Sequence, residues 1–343
     1  MSEEAASSEV RSPRKPPLKP AGGLFAPARD RYGVRLALVF GNHAPEGRCP
    51  WFSAGKCHHC DIGAGEGAAF DEETHRSRLA FFRKRYSKVF PRLNHLVLYV
   101  SGSVLNPVEL PPGLLDELLA FARKLPELRA VSLESRESFI TEARVRRLAN
   151  LLAEGQALRV ALGLESADDR VRNGVLEKKM PEAAVRRALE ELGRAARAES
   201  PGRVGLDLNV VVAGPGTSGA TAAADAAATA RYAFCAGREL GFPVDLNIHP
   251  YYPSARGLAR FPDRPRCAPA ALAAAVLAVD VERRALAPAS GLFIGLEDEG
   301  HDREPGRRSD ERRLAYAAIE RFNETGDPRA LEALLPPEPL AEL

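Results

Sequence analysis

Apolar and polar positions along the chain follow two alternating rhythms. Dense apolar runs occupy residues 34–40, 93–103, 128–136, 158–166, 204–216 and 244–254. Between them lie longer stretches, 71–88, 112–124, 141–154, 181–197 and 220–240, whose apolar residues recur at helical spacing. A short apolar run bounded by turn residues reads as a strand, and a period of three to four residues reads as a helix. The boundaries carry matching chemistry: Asp71 or Thr74 and then Thr141 as N-caps, Pro112 and Pro181 at first turns, and Gly241 closing a long alanine-rich segment.

Strand then helix, repeated six times, predicts a parallel sheet with helical crossovers. The runs read as nearly continuous apolar stretches, as for strands covered on both faces or forming a barrel wall. Six units rather than eight predict an α/β fold, a partial (β/α)6 barrel of the TIM type, over residues 31–255. From 256 to 343 the pattern becomes mostly helical (268–286, 309–323, 330–335) with one short strand over 292–297, so a helical C-terminal extension is expected. Residues 1–30, rich in proline, serine and charge, read as a disordered tail; from Arg11 to Arg31 it carries six basic side chains and one acidic. The stretch 298–313 is highly charged and reads as exposed.

In barrels of this kind chemistry gathers at the C-terminal ends of the strands. His43, Ser101, Ser103, Glu134, Arg136, Glu165, Asn209 and His249 all fall there. The most informative cluster follows the first run, where Cys49, Cys57 and Cys60 form C-x7-C-x2-C in one loop. Three thiolates can hold three irons of a 4Fe–4S cluster and leave the fourth iron open for chemistry. The same residues suit a tetrahedral Cys3His zinc site, with His43, His58 or His59 as fourth ligand. Glu134 and Arg136, two apart on one strand, point to the same face. The glycine-rich loop at 213–220 suits an anion but lacks the lysine of a nucleotide-binding P-loop.

Composition narrows the classes. The chain has 343 residues, 45% of them apolar, which is enough for one barrel with an appendage. Five cysteines, three of them in one loop, do not make a disulfide framework and point to a metal in a reducing compartment, hence the cytoplasm. No run of eighteen apolar residues spans a membrane, and the first residues have no apolar segment to act as a secretory signal. A net charge of +2 neither requires nor excludes a nucleic-acid partner.

The strand, the three-cysteine loop and the six-unit pattern resemble the radical S-adenosylmethionine (SAM) enzymes over about residues 34–255. The superfamily's usual first gap is three residues, and longer gaps occur in the branch of the elongator catalytic subunit. Residues 132–136 (Ser-Leu-Glu-Ser-Arg) resemble that branch's third-strand Glu-x-Arg motif, and residues 163–180 resemble its fourth-strand segment. The stretch 101–111, which opens Ser-Gly-Ser and ends with Glu109-Leu110-Pro111, resembles a motif of the subfamily containing the archaeosine-forming tRNA enzyme.

The resemblance implies a 4Fe–4S cluster on Cys49, Cys57 and Cys60, with SAM chelated by the open iron. It also implies a set of SAM contacts. Ser101, Gly102 and Ser103 would meet the methionine amino group and Arg136 the carboxylate. Glu134 and Glu165 would take a ribose hydroxyl or the ammonium, and the backbone near Asn209 and His249 would touch adenine. His59 stands where the family commonly has an aromatic residue. Reductive cleavage of SAM would give a 5′-deoxyadenosyl radical that takes hydrogen from a substrate. The implied partners are an electron donor such as a flavodoxin or ferredoxin, and either tRNA or a small metabolite. The competing expectation is a zinc-stabilised barrel acting as a non-radical binding protein.

Overall fold

The computed structural model describes residues 25–60, 63, 68–217, 219–253, 255–295 and 310–336. All six strands read from the sequence form: β2 (Gly33–Val39), β3 (His95–Tyr99), β4 (Ala130–Ser135), β5 (Ala157–Glu165), β6 (Val204–Val212) and β7 (Val244–Pro250). They are mutually parallel and lie side by side in chain order. The crossovers are α2 (Glu72–Arg85), α3 (Pro112–Ala122), α4 (Glu142–Leu151), α5 (Glu182–Arg197) and α6 (Ala220–Leu240). Their starts follow the expected chemistry. Asp71 accepts from Thr74 N–H at 2.8 Å and Thr141 accepts from Arg144 N–H at 3.3 Å, so each satisfies an otherwise orphaned donor. Gly241 ends α6 at a φ of 83°, which a side chain would resist.

Two strands complete an eight-stranded sheet. β1 (Ala28–Asp30) pairs antiparallel with β2, and β8 (Leu292–Ile294) pairs parallel with β7. Thus the last residues of the stretch expected to be a tail belong to the sheet, while residues 1–24 and 296–309, with most of the charged stretch, lie outside the described residues. A four-residue helix, α1 (Pro50–Ser53), sits in the cysteine loop, and α7 (Ala255–Arg260), α8 (Pro269–Leu286), α9 (Asp310–Thr325) and α10 (Arg329–Glu332) follow β7. α8 packs on α6, and α9 touches both β1 and β8. Among the described residues no helix is long and apolar enough to cross a membrane.

The strands are not apolar on both faces, contrary to the expectation from the sequence. Leu36, Leu38, Leu96, Leu98, Leu133, Val160, Leu162, Leu206, Leu208, Leu246 and Ile248 share the main core with the helices. The alternate residues belong to the concave face, because successive side chains on a strand point to opposite sides. There a small apolar group, Ala37, Val97 and Tyr99 with Phe25 and Val39 against it, lies among buried polar residues. Those include Arg35, His95, Ser132, Arg159, Asp207, Asn209, Asp245, Asn247 and His249.

Cross-barrel contacts at the N-terminal ends show how far the sheet curls. The Arg31 guanidinium bonds the Asp245 carboxylate, Tyr32 Oη lies 2.8 Å from Asp245 Oδ2, and Arg35 stacks at 4.1 Å on Phe293 of β8. The first and last strands therefore approach each other, a nearly closed barrel with its floor filled by polar side chains. The opposite end is open.

Candidate functional site

At that open end a cleft of about 1060 Å3, measured out to its mouth, collects residues from every parallel strand from β4 to β7 together with the cysteine loop. Cys49, Cys57 and Cys60 line it, all three as free thiols. Cys49 opens α1, with Pro50 in the first turn, and its N–H reaches Gly63 O at 3.0 Å. Arg256 pins the loop from α7: its guanidinium lies 3.5 Å from the Phe52 ring and donates to Phe52 O at 2.8 Å and Lys56 O at 3.0 Å. Burial pushes the Cys49 thiol up to about 11 and holds the Cys60 thiol well above the ordinary range, so a cation must displace protons to bind them. Among the described residues no three His, Cys, Asp or Glu groups are gathered closely enough to share one metal ion.

Of the other residues singled out in the sequence, His59, Gly102, Ser103, Glu134, Arg136, Glu165, Asn209 and His249 line the same cleft. Ser101 lies behind the wall, 5% exposed, with its carbonyl accepting from Asn42 Nδ2 at 2.8 Å. His43 turns away to Phe70, its Nδ1 at 2.6 Å from that carbonyl. Arg136 leads from β4 to the cysteine loop. It stacks at 4.3 Å on Trp51, donates to Lys178 O at 2.7 Å and reaches Cys57 Sγ at 3.7 Å. Asn209 accepts from Asn247 Nδ2 at 3.0 Å, a pair that closes the cleft's inner end.

Glu165 ends β5 at a register shift, with a φ of 68° that non-glycine residues seldom adopt. Burial, the largest single influence, would raise its carboxyl, but Lys178 Nζ at 2.6 Å and His59 together outweigh it and hold the group far below the usual range. Burial would lower the same lysine, but Glu165 and Cys57 together outweigh that and raise it. Burial lowers the His59 imidazole although its contact with Glu165 acts the other way.

Several residues of the site were not picked out from the sequence. Lys178 is not singled out within the 163–180 segment, and only the fold puts it against Glu165. Trp51, Met180 and Tyr252 also line the cleft. Trp51, the chain's single tryptophan and set between two of the cysteines, is the one that sequence could have flagged. Asn42 and Glu109 hold the 101–103 turn from behind.

No family model matches the chain. A curated protein, the archaeosine synthase subunit beta of Methanosarcina acetivorans, is 27% identical over 132 residues, 38% of this chain. The match spans 37% of that relative's length, little more than a third. Among solved structures, methylornithine synthase (PylB) superposes with a TM-score of 0.50 at 10% identity, covering 88% of this chain and 85% of that one. The queuine lyase from Clostridium spiroforme, bound to SAM and queuine, gives a TM-score of 0.42 at 15% identity over 67% of this chain and 83% of that one. PylB shares the fold, and the archaeosine synthase match fits the branch indicated by the cysteine loop and the 101–111 motif, so the chain resembles the radical SAM enzymes on their elongator-subunit-like side.

Proposed function

We propose that the chain is an iron–sulfur enzyme of the radical SAM type. One observation carries the reading: three cysteines of a single loop open on the same cleft as Glu134, Arg136 and Glu165 from the ends of neighbouring strands. A cubane can take each of the three thiolates on a different iron and leave the fourth iron open, whereas a zinc ion would need a fourth protein ligand such as His59. Cys49, Cys57 and Cys60 would hold the cluster; when bound, it and SAM supply the electron and the carbon radical that removes a substrate hydrogen.

The protein's part is binding, orientation and exclusion of water. The Arg136 guanidinium, stacked on Trp51, suits a carboxylate such as that of methionine. Gly102 and Ser103 offer backbone and hydroxyl groups beside it, and Glu134 faces the cleft as an acceptor for hydroxyl or ammonium. Glu165, already engaged by Lys178, is better suited to accept a hydroxyl than to take a second cation. Asn209, His249, Tyr251 and Tyr252 supply a polar and aromatic inner wall for adenine or substrate.

The substrate is an RNA nucleoside or a small metabolite. The match to archaeosine synthase subunit beta supports the first. The reaction calls for an external one-electron donor. Metal analysis of the anaerobically reconstituted protein tests the reading: a brown protein with iron and sulfide supports it, and a colourless one holding a single zinc supports a zinc-stabilised binding protein instead.

A further inference from the structure

The segment between β5 and α5 folds back over the cysteine loop as a strap. Arg172, with no exposed surface, holds it in shape. Its Nε donates to Met180 O at 2.9 Å, its Nη1 to Ser166 O and Ala167 O at 3.0 Å each, and its Nη2 pairs with Asp169 and Glu182. From this frame two consecutive residues meet the loop backbone: His58 N–H reaches Leu176 O at 3.1 Å and Cys57 N–H reaches Glu177 O at 3.4 Å. The Glu177 carboxylate lies 3.3 Å from Lys56 Nζ and 3.2 Å from His58 Nε2.

Lys178 turns the other way. Its Nζ bonds Glu165 Oε1 at 2.6 Å, and His59 Nε2 stands 3.6 Å from that same oxygen. Its carbonyl accepts from Arg136, whose other nitrogen touches Cys57 Sγ. Thus Lys56, Cys57, His58 and His59 each meet the strap or the acid that the strap holds. Five non-glycine residues among those described have positive φ, and four of them, Cys57, Glu165, Glu177 and Lys179, belong to this contact. Such conformations persist only where the surroundings over-determine them.

We infer that the strap is a clamp that shapes the cysteine loop before any metal arrives, with Glu177 and Lys178 as its positioning residues. Glu177 fixes the backbone on either side of Cys57. Lys178 ties the loop to Glu165 and Arg136, so the sulfurs and the polar wall of the cleft keep one relative placement. That the clamped loop is a cluster-binding loop rests on the radical SAM reading; the clamp itself does not.

Hydrogen exchange of the full-length, metal-free protein tests it, comparing the parent with Glu177→Ala, Lys178→Met and Lys178→Arg. Glu177→Ala should speed exchange at Cys57 and His58 about fivefold while the amides of β3, remote from the strap, stay unchanged. Lys178→Met should loosen the same amides, and Lys178→Arg, which can still pair with Glu165, should restore their protection. Unchanged loop amides in both loosening variants would overturn the clamp. So would an equal acceleration in the loop and in β3, which would mean that the residues merely stabilise the fold. Iron uptake is measured on the same samples. If the parent takes up no iron while its loop amides respond as expected, the radical SAM reading fails and the clamp stands.

Discussion

The Glu109 carboxylate occupies the space where a side chain on Gly102 would be. A Cβ built on Gly102 would lie 1.6 Å from Glu109 Oε2, and Gly102 has a φ of 152°. That carboxylate, fully buried, accepts from Asn42 Nδ2 at 2.8 Å, Ser103 N–H at 3.2 Å and Asn106 Nδ2 at 2.7 Å. The turn that presents Gly102 and Ser103 to the cleft is thus cast around one acid.

Gly102→Ala should therefore cost about 2 kcal/mol or more of stability and disturb the cleft wall, since neither the backbone nor the buried acid can yield cheaply. Glu109→Gln, nearly the same shape, should cost about 1–3 kcal/mol, because an amide nitrogen must then face one of the three donors. Urea denaturation measures both. A Gly102→Ala protein as stable as the parent would show that the turn is not built this way.

His75 gives the fold a titrating element. It is fully buried beside the rings of Phe70, Phe40 and His43, with centroids at 5.3, 6.1 and 6.0 Å, and among the described residues neither ring nitrogen has a hydrogen-bond partner. Burial, helped by His43 and Arg78, lowers it from 6.5 to about 4. Between those values the unfolded chain binds more protons, so stability rises with pH there and is lost as pH falls from 6.5 towards 4. The loss from this group between pH 7.5 and pH 5 is about 2 kcal/mol. His75→Phe should remove that part of the acid sensitivity at little cost near neutrality. Urea midpoints of parent and variant at the two pH values decide it, and parallel losses would contradict the assignment.

The polar floor of the barrel should respond unequally to removal of two similar charges. Asp30 lies 2.5 Å from His95 Nδ1 and accepts from Tyr32 N–H at 2.8 Å; burial raises its carboxyl, but His95, Arg35 and the Tyr32 N–H together outweigh burial and the net shift is downward. Asp207 is raised by burial, accepts from the Ser132 hydroxyl through one oxygen and, among the described residues, has no partner on the other. An amide imitates a protonated acid, so Asp207→Asn should cost less than about 1 kcal/mol. Asp30→Asn, which strips the charge from a buried pair, should cost about 3 kcal/mol. Equal losses in thermal unfolding would refute this assignment of charge.

The strand–helix order was legible because the strands' outer faces pack against helices and four of the five crossover helices, all but α6, carry a side-chain cap or a proline at their start. The inner face was not, since Arg35, Arg159, Asp207 and Asp245 are separated in the chain and come together only once the sheet curls. Likewise Cys49, Cys57 and Cys60 declared themselves by spacing. Lys178 and Glu177 did not, because a charged loop gives no signal of where it will fold back. β1 escaped notice for a simpler reason: three residues at the end of a proline-rich stretch carry no periodicity.

The central claim is tested most directly by reducing the reconstituted protein with dithionite in the presence of SAM, without oxygen, and looking for 5′-deoxyadenosine by mass spectrometry. Cys49→Ala, Cys57→Ala and Cys60→Ala serve as controls. The account expects the product from the parent and none from any of the three variants. A parent that binds zinc in place of an iron–sulfur cluster and forms no product would contradict it.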